Sequence, residues 1–457
     1  MSDVATKSSI FDVGIHQRMN AGALLGLGLQ NILGMTGMFI FPGLLGLAFH
    51  LSPAEVAYLY GVTFVTSGLV TTLQSVVLLR LPIIQGPYAG TFAALLAVGH
   101  FSGGLGTAFG SLFVAALIWC LLTIPIKYFS LVGYVSRYLK SPLVYGMILL
   151  IIMTQLTNVA LPNWIGQPTT PAFPWINLLT GAIAVVVIIV CTIWGRGILR
   201  RGAVLWGIIL GTVVYAFFVP LSFSRVVTAP VFAVPRIFPF GFGVDPELVF
   251  IFFITFIPAI AESMALYEVV AEWGNEPLSA VRVSQGVFGE VLGSAIGALV
   301  GGISTLTYPD NVGMLRATRV GSRFVTLTAG LILILLGSIV KFDMLLVAIP
   351  LPILSAAGAL LFGMIFMSGV QMLSRVHWDD TNLIVAGLPF TIAIGGLFIP
   401  PTVATKLPLV MQIILSQPLI LGTVLLIMLH VVLNGWSRRK ILVSEMTTGQ
   451  IHEVVAD

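Results

Sequence analysis

The chain is short of charge. Of its 457 residues, 8% are Asp, Glu, Lys or Arg, whereas 58% are hydrophobic. Soluble domains carry about 25% charged residues, so this composition excludes a water-soluble fold and predicts an all-α polytopic membrane protein. The net charge of +4 fits basic residues on cytoplasmic loops, and we expect a lipid bilayer around the chain and no nucleic-acid partner.

Cysteines and clustered metal ligands are also scarce. The two cysteines, Cys120 and Cys191, lie in apolar runs, which excludes a disulfide framework and a CxxC metal site. No HExxH or GxSxG motif occurs, and the six histidines are scattered near segment ends and tails. We therefore predict that the protein is not an enzyme and has no cofactor and no metal site.

Apolar segments follow one another along the chain. A helix needs about 20 residues to cross a bilayer, and the third and tenth segments are interrupted by Gly and Pro before that length, which predicts half-helices. Pro42 predicts a kink in segment one. We place fourteen segments, near 21–49, 54–74, 78–99, 103–126, 141–161, 176–195, 202–221, 247–270, 286–303, 305–318, 324–340, 344–372, 381–400 and 410–434.

Basic residues are unevenly distributed between alternate loops. If the N-terminus is cytoplasmic, Arg225, Arg236, Lys341 and Lys406 fall on outside loops, Arg316 falls within segment ten, and all other Lys and Arg residues fall inside. The positive-inside rule then predicts a multi-pass protein of the cell membrane, plasma or inner, with both termini cytoplasmic.

The two interrupted segments resemble one another. Segment three contains QGPYAGTFAAL from Gln85, and segment ten contains TYPDNVGMLRA from Thr307, each with Pro next to Tyr. Breaks seven segments apart imply an inverted repeat, and paired interrupted helices point to the substrate site of a transporter. The alternative is that the Gly-Pro breaks only allow close helix packing.

Carboxylates lie near this region. Glu262, Glu268, Glu290 and Asp310 fall within or near segments eight to ten. A carboxylate in hydrocarbon costs at least about 2.5 kcal/mol, so such residues face a cavity, a partner or a proton path. Glu262, in the middle of segment eight, is the main functional candidate. Glu268 is placed nearer the interface, and Glu290 is equally suited to hold a neighbouring helix by a hydrogen bond.

Two carboxylates on opposing elements suit a planar ligand. Glu262 and Asp310 together would grip several N–H donors, and nucleobases have such an edge. Tyr88 offers a ring on which a base could stack, although tyrosines at such breaks also serve in packing. The helix starts at both breaks direct their positive ends to this region.

The stretch DNVGMLRATR, from Asp310 to Arg319, is similar to the signature of the nucleobase/ascorbate transporter family, Gln/Glu/Pro-Asn-x-Gly-x-x-x-x-Thr-Lys/Arg/Gly. Only its first position differs. GLQN, ending at Asn31, resembles the family's GLQH, the Ala-Glu-Ser around Glu262 resembles its acidic motif, and IPLP from Ile349 resembles its IPxP.

The resemblance implies two inverted repeats of seven segments, with short strands in segments three and ten. It implies a core domain (1–126 and 222–340), a gate domain (127–221 and 341–457) and a homodimer formed through the gate. It also implies secondary active uptake of a nucleobase by proton symport with an elevator-type movement, and Na⁺ coupling stays open.

By position, the resemblance makes Glu262, Asp310, Tyr88, Pro309 and Asn311 the substrate-binding residues. Glu262 would hold the N–H edge and carry the coupling proton, with Asp310 second in both roles. The remaining motif or structural positions are Gln30, Asn31, Gly86, Pro87, Gly313, Thr318 and Arg319.

Three positions depart from the family pattern. Asp310 is one methylene shorter than the usual Glu or Gln, Pro309 has no backbone N–H, and Asn31 replaces a titratable His. We therefore favour a purine such as xanthine, hypoxanthine, guanine or uric acid over uracil. The alternative is a carrier of ascorbate or a small anion on the same fold, and a channel would differ by unsaturable flux.

Overall fold

A computed structural model describes residues 9–98, 103–125, 141–166, 174–396 and 418–434. It is mostly helical, 74%, which confirms the predicted helical class. The described residues also contain one two-stranded sheet.

The helices of the first half, in chain order, are α1 (Ala21–Leu33), α2 (Thr36–Ala48), α3 (Pro53–Val76), α4 (Ala89–Val98), α5 (Gly104–Thr123), α6 (Pro142–Ile165), α7 (Trp175–Ile193), α8 (Ile198–Arg201), α9 (Ala203–Ala216) and α10 (Ser224–Thr228). Strand β1 (Gln85–Pro87) comes just before α4.

The helices of the second half are α11 (Pro246–Trp273), α12 (Ala280–Leu299), α13 (Pro309–Thr318), α14 (Arg323–Ser338), α15 (Val340–Val347), α16 (Leu351–Leu373), α17 (Asp380–Gly396) and α18 (Pro418–Leu429). Strand β2 (Thr305–Thr307) lies between α12 and α13, and a π-helical turn (His430–Asn434) follows α18.

Six helical spans in the described chain are long and apolar enough to cross a membrane. They are α1 with α2, α3, α5, α7, α11 and α16, and shorter apolar helices accompany them. This set does not by itself give the predicted count of fourteen. The end of segment thirteen and the start of segment fourteen fall in residues 397–417, outside the described residues.

Two predicted segments are divided. Segment one is interrupted at Gly34 and Met35, between α1 and α2, while Pro42 stays inside α2. Segment twelve covers the second half of α15 and nearly all of α16, which are separated around Pro350. Proline lacks the N–H of the helical ladder and disfavours helical backbone just before it, which accounts for the second division.

Local sequence signals set the starts of the long helices. Ser52 caps α3 by accepting a hydrogen bond from the Glu55 backbone N–H, and the Glu55 carboxylate accepts from the Ser52 backbone N–H. Such a reciprocal capping box satisfies two donors that a helix start leaves unpaired. Asp245 caps α11 because its side chain accepts hydrogen bonds from backbone N–H groups at the helix start, and Pro246 takes the first helical position.

Helix α3 packs along α14 through glycines. A β-carbon at Gly68 would lie 2.5 Å from the Gly330 carbonyl oxygen, and one at Gly61 would lie 2.8 Å from the Gly337 oxygen. Only glycine allows backbones to approach this closely. The other side of α3 supports β1, because the Thr71 hydroxyl accepts a hydrogen bond from the Gln85 backbone N–H at 2.9 Å.

The chain divides into two compact units. The first consists of Met1–Arg137 and Gln155–Met364, and contains both strands. The second consists of Tyr138–Thr154 and Ile365–Asp457, and within it α17 packs against α18. The predicted boundaries of the core and gate domains stay a prediction.

Candidate substrate site

The two interrupted segments meet in the sheet. Strand β1 pairs with β2 in antiparallel register, with Gln85 opposite Thr307, Gly86 opposite Leu306 and Pro87 opposite Thr305. A helix follows each strand after a single residue, α4 after Tyr88 and α13 after Tyr308. The strands predicted in segments three and ten are therefore present, and both helix starts arise from the same small sheet.

The backbone around these strands has a local two-fold relation. The Tyr88 N–H donates to the carbonyl of Ser304, the residue before β2, at 2.9 Å. The Tyr308 N–H donates to the carbonyl of Ile84, the residue before β1, at 3.0 Å. Equivalent residues in the two halves thus make equivalent bonds.

Glu290 of α12 ties the two strands together. Its Oε1 accepts hydrogen bonds from Gln85 Nε2 at 3.0 Å and from the Thr307 backbone N–H at 3.1 Å, and it also accepts one from the Thr307 hydroxyl. Gln85 Nε2 reaches the Thr307 hydroxyl as well, at 3.2 Å. All three side chains are buried. Of the two readings that the sequence leaves open for Glu290, these contacts match the one that holds a neighbouring element.

Tyr88 and Glu262 lie close together. The buried Tyr88 packs with Ala259 and Leu306, and Ala259 precedes Glu262 by three residues on one face of α11. The Glu262 carboxylate lies within electrostatic reach of the Tyr88 hydroxyl, and its residue is only 6% exposed. The structure thus brings together two of the predicted substrate-binding residues.

Asn311 bridges three elements. Its Oδ1 accepts from the Ile84 backbone N–H at 3.2 Å, and its Nδ2 donates to Asn31 Oδ1 at 2.9 Å. Asn31 in turn donates to the Leu27 carbonyl of α1 at 3.0 Å. Gln30, beside it, reaches the Met314 sulfur at 3.6 Å. These protein contacts join the GLQN motif to the signature motif.

Pro309 and Asp310 occupy the first two positions of α13. Proline is tolerated at a first helical position because its missing N–H would have no partner in the helix. The placement of the Asp310 side chain lies outside the part of the chain that the structure describes, so its predicted pairing with Glu262 stays a prediction.

The second half of the signature does not gather at the strands. A rise of about 1.5 Å per residue puts Arg319 roughly 14 Å along α13 from Asp310. Thr318 donates to the Met314 carbonyl at 3.0 Å, and the Arg319 side chain binds the Ile10 carbonyl at 3.1 Å and the Asp12 carboxylate at 3.2 Å. Thr318 and Arg319 end the helix and hold the N-terminal segment.

Glycines make room for the tyrosine rings. A β-carbon at Gly86 would lie 2.9 Å from Tyr308 Cε2 and 3.0 Å from the Met35 methyl, whereas one at Gly313 would meet nothing within 4 Å. The Tyr308 hydroxyl accepts a hydrogen bond from the Gly37 N–H at 2.8 Å. Gly86 is thus required for packing, while Pro87 completes β1 next to it.

Sequence reasoning missed Gln85 and Thr307 as partners of Glu290. Gln85 stands three residues before Tyr88, and Thr307 stands directly before Tyr308. A polar residue close to each break in an apolar segment was the available signal.

The chain is similar to a known protein family and to named transporters. A family model, Xan_ur_permease, described as a permease family, matches residues 22–402. The uric acid transporter UacT of Escherichia coli is 28% identical over 444 residues, which cover 94% of this chain and 90% of that protein. The uric acid permease PucJ of Bacillus subtilis is 29% identical over 419 residues, covering 88% of this chain and 91% of that protein.

A solved structure shares the fold. The transmembrane domain of the cyanobacterial bicarbonate transporter BicA superposes with a TM-score of 0.57 at 16% identity, covering 92% of this chain and 99% of that domain. At this identity the likeness concerns the fold alone, that of a multi-pass membrane transporter.

Proposed function

The chain belongs to this permease family, the nucleobase/ascorbate transporter family that its motifs resemble, and from that membership we propose that it takes up a nucleobase across the membrane. The observation that carries the proposal is the packing of Tyr88, which follows β1, against Ala259, one helical turn before the buried Glu262. The uric acid transporters among its relatives support a purine as the substrate class.

Glu262 binds the N–H edge of the base in this proposal. With the coupling proton bound, its carboxyl group accepts from a ring N–H through the carbonyl oxygen and donates its O–H to a neighbouring acceptor of the base. Tyr88 supplies a flat, apolar face for the ring. The low exposure of both side chains supports the assignment, because water competes weakly for the ligand's donors in a buried site.

The start of α13 forms the opposite side of the proposed substrate site. Pro309 offers no backbone N–H, and Asp310 is short, so a ligand must either extend toward the helix or be reached through water. A bicyclic purine spans a wider gap than uracil does, which is why we favour xanthine, hypoxanthine, guanine or uric acid. Asn311, held between Ile84 and Asn31, fixes the position of this helix start.

Transport couples substrate to a proton in this proposal. Burial of a carboxyl group favours its protonated form, so Glu262 would bind the coupling proton, with Asp310 as the second candidate. Fourteen segments in two inverted repeats, a core that moves against a gate in an elevator-type cycle, a homodimer through the gate and cytoplasmic termini complete the account. These features rest on the family resemblance and the charge distribution of the loops.

The second candidate is a carrier of ascorbate or a small inorganic anion. The fold shared with a bicarbonate transporter is what favours it. The buried carboxylates of Glu262 and Glu290 near the strands speak against a bare inorganic anion, because like charges at close range repel strongly in a buried site.

A thermal-shift panel on the purified protein tests the proposed substrate class. Purines, pyrimidines, ascorbate, bicarbonate and sulfate are compared for the wild type and for Asp310→Ala. We expect stabilisation by one or more purines, reduced in Asp310→Ala. Stabilisation by ascorbate or an inorganic anion, with none by any nucleobase, would contradict the proposal.

A further inference from the structure

Four arginines from separate parts of the first unit lie together. Arg18 precedes α1, Arg80 follows α3, Arg282 is in the first turn of α12, and Arg323 begins α14. The positive charges of Arg80, Arg282 and Arg18 all act on the Arg323 guanidinium, and Glu276 is the carboxylate that opposes them. The cluster is therefore more than a set of basic residues spread along one side of the membrane.

One aromatic ring holds two of the guanidinium groups. The Arg18 and Arg323 guanidinium carbons each lie 5.1 Å from the centre of the Phe324 ring. Both distances are within the range of cation–π attraction. The ring thus fixes two like charges near each other, an arrangement that like-charge repulsion opposes.

Glu276 is already committed to other partners. Its Oε1 lies 2.7 Å from Arg282 Nη1 and 3.0 Å from His16 Nε2. It can therefore offset the charge of Arg282. Within the described residues, no carboxylate pairs with Arg18, Arg80 or Arg323. Arg18 and Arg80 are exposed, so an anion from outside the chain can reach these charges.

Helix capping accounts for only part of the cluster. Arg323 Nη1 donates to the Ser75 carbonyl at 2.9 Å, and Arg282 Nε donates to the Leu79 carbonyl at 2.6 Å. Arg323 thus stabilises the negative end of α3, while Arg282 binds the turn that follows this helix. Capping does not explain Arg18 or the terminal nitrogens of Arg80, which donate no hydrogen bond to any described residue.

One further observation points to a ligand. Arg323 Nε is buried and has no acceptor among the described residues. A buried donor without a partner is costly and uncommon in folded proteins. An anion with several oxygens at the cluster would supply the missing acceptor.

Apolar side chains border the cluster. Val76 and Val77, just before Arg80, are 44% and 51% exposed, and Val281, next to Arg282, is 43% exposed. In a membrane-spanning chain, exposed apolar residues at helix ends offer a surface for acyl chains. The anion best suited to bind arginines next to this apolar surface is one that is attached to acyl chains.

We propose that Arg18, Arg80 and Arg323 form a binding site for the phosphate group of an anionic phospholipid. Guanidinium groups bind phosphate oxygens in a bidentate manner. On the predicted orientation the cluster faces the cytoplasm, where anionic lipids attract basic residues next to the membrane. The headgroup neutralises the cluster at the junction of the N-terminal segment, α3, α12 and α14, and so stabilises the unit that carries the two strands.

The test uses the purified full chain, stripped of lipid in a neutral detergent. Its melting temperature is measured after addition of phosphatidylglycerol, phosphatidylcholine or inorganic phosphate. The same series is run on Arg18→Gln/Arg80→Gln and on a control, Arg225→Gln/Arg236→Gln, which removes equal charge from predicted outside loops. Native mass spectrometry counts the phosphatidylglycerol molecules that each variant retains.

We expect phosphatidylglycerol to raise the melting temperature of the wild type and the control more than phosphatidylcholine does. The Arg18→Gln/Arg80→Gln variant should lose most of this difference and retain fewer phosphatidylglycerol molecules. Equal effects of the two lipids on the wild type, or an undiminished effect in that variant, would overturn the proposal. An equal shift with inorganic phosphate alone would replace the lipid by a soluble anion and overturn it as well.

Discussion

Tyr88 and Tyr308 occupy equivalent positions in the two halves of the chain. Each stands between a strand and the helix that follows, and each donates its backbone N–H to the carbonyl just before the opposite strand. The rings differ in their surroundings, because Tyr88 packs beside α11, while the Tyr308 hydroxyl binds the Gly37 N–H. A symmetric backbone thus carries an asymmetric site, with one ring near Glu262 and the other fixed by α2.

The two asparagines form a coupled pair. Asn311 Nδ2 donates to Asn31 Oδ1 inside the protein, so removing either side chain leaves the other with an unpaired group. We expect a double-mutant cycle of Asn31→Ala and Asn311→Ala, measured by the free energy of unfolding, to give a coupling energy of about 0.5–1.5 kcal/mol. Strictly additive effects would show that the bond contributes nothing to stability.

Two glycines near the strands should respond in opposite ways. Gly86→Ala pushes a methyl group into the Tyr308 ring and the Met35 methyl, and we expect a loss of roughly 1–3 kcal/mol in unfolding free energy. Gly313→Ala meets open space in a helix and should be neutral or stabilising by up to about 1 kcal/mol. Thermal unfolding of both variants checks this, and equal effects would contradict the packing described for Tyr308.

Glu290 should prove necessary for the strand pair through its oxygen atoms. Glu290→Ala leaves the Thr307 N–H without its acceptor and the Gln85 amide with only the Thr307 hydroxyl, and a cost of about 1–3 kcal/mol for the buried unpaired group is expected. The matched variant Glu290→Gln keeps one acceptor oxygen and should retain more of the stability. The comparison is made by thermal unfolding, and identical losses would mean that the charge alone matters.

The sequence predicted the breaks in segments three and ten, because Gly and Pro stand out in apolar segments. The assignment of Tyr88 and Glu262 to the substrate site stays a prediction. The sequence could not predict the bonds from Gln85 and Thr307 to Glu290. Strands of three residues are too short to show a period, and their register depends on α3 and α12. The division of segment one at Gly34 and Met35 was also out of reach, since Pro42 is the stronger helix breaker.

A shared motif likewise does not say which of its residues contact substrate. Thr318 and Arg319 belong to the signature, yet their contacts are with Met314, Ile10 and Asp12 at the far end of α13. Their place in the motif is explained by how the helix ends, with Arg319 in a left-handed conformation at φ of 55°. The spacing of a motif gives the position of each residue along the helix, but not the direction in which its side chain points.

Asp343 should make stability depend on pH. This residue lies in α15, in the connection between predicted segments eleven and twelve, and burial raises its pKa from 3.8 to about 8. Between these values the folded chain holds a proton that the unfolded chain has released, so stability falls as pH rises, by about 1.4 kcal/mol per pH unit at most.

Asp343→Asn should remove this dependence. We expect the variant to match the wild type near pH 4 and to be more stable at pH 8 and above, in thermal unfolding across that range. The exposed Asp380→Asn serves as the control. An unchanged pH profile in Asp343→Asn would show that its carboxyl group titrates alike in the folded and unfolded chains.

The most direct measurement is proton-driven uptake of labelled xanthine and uric acid into proteoliposomes by the wild type, Glu262→Gln and the control Glu247→Gln on the same helix. We expect saturable accumulation that a protonophore abolishes, unchanged in Glu247→Gln and reduced by about tenfold or more in Glu262→Gln, because an amide cannot bind and release the coupling proton. Undiminished proton-driven accumulation by Glu262→Gln would contradict the central role of this carboxylate.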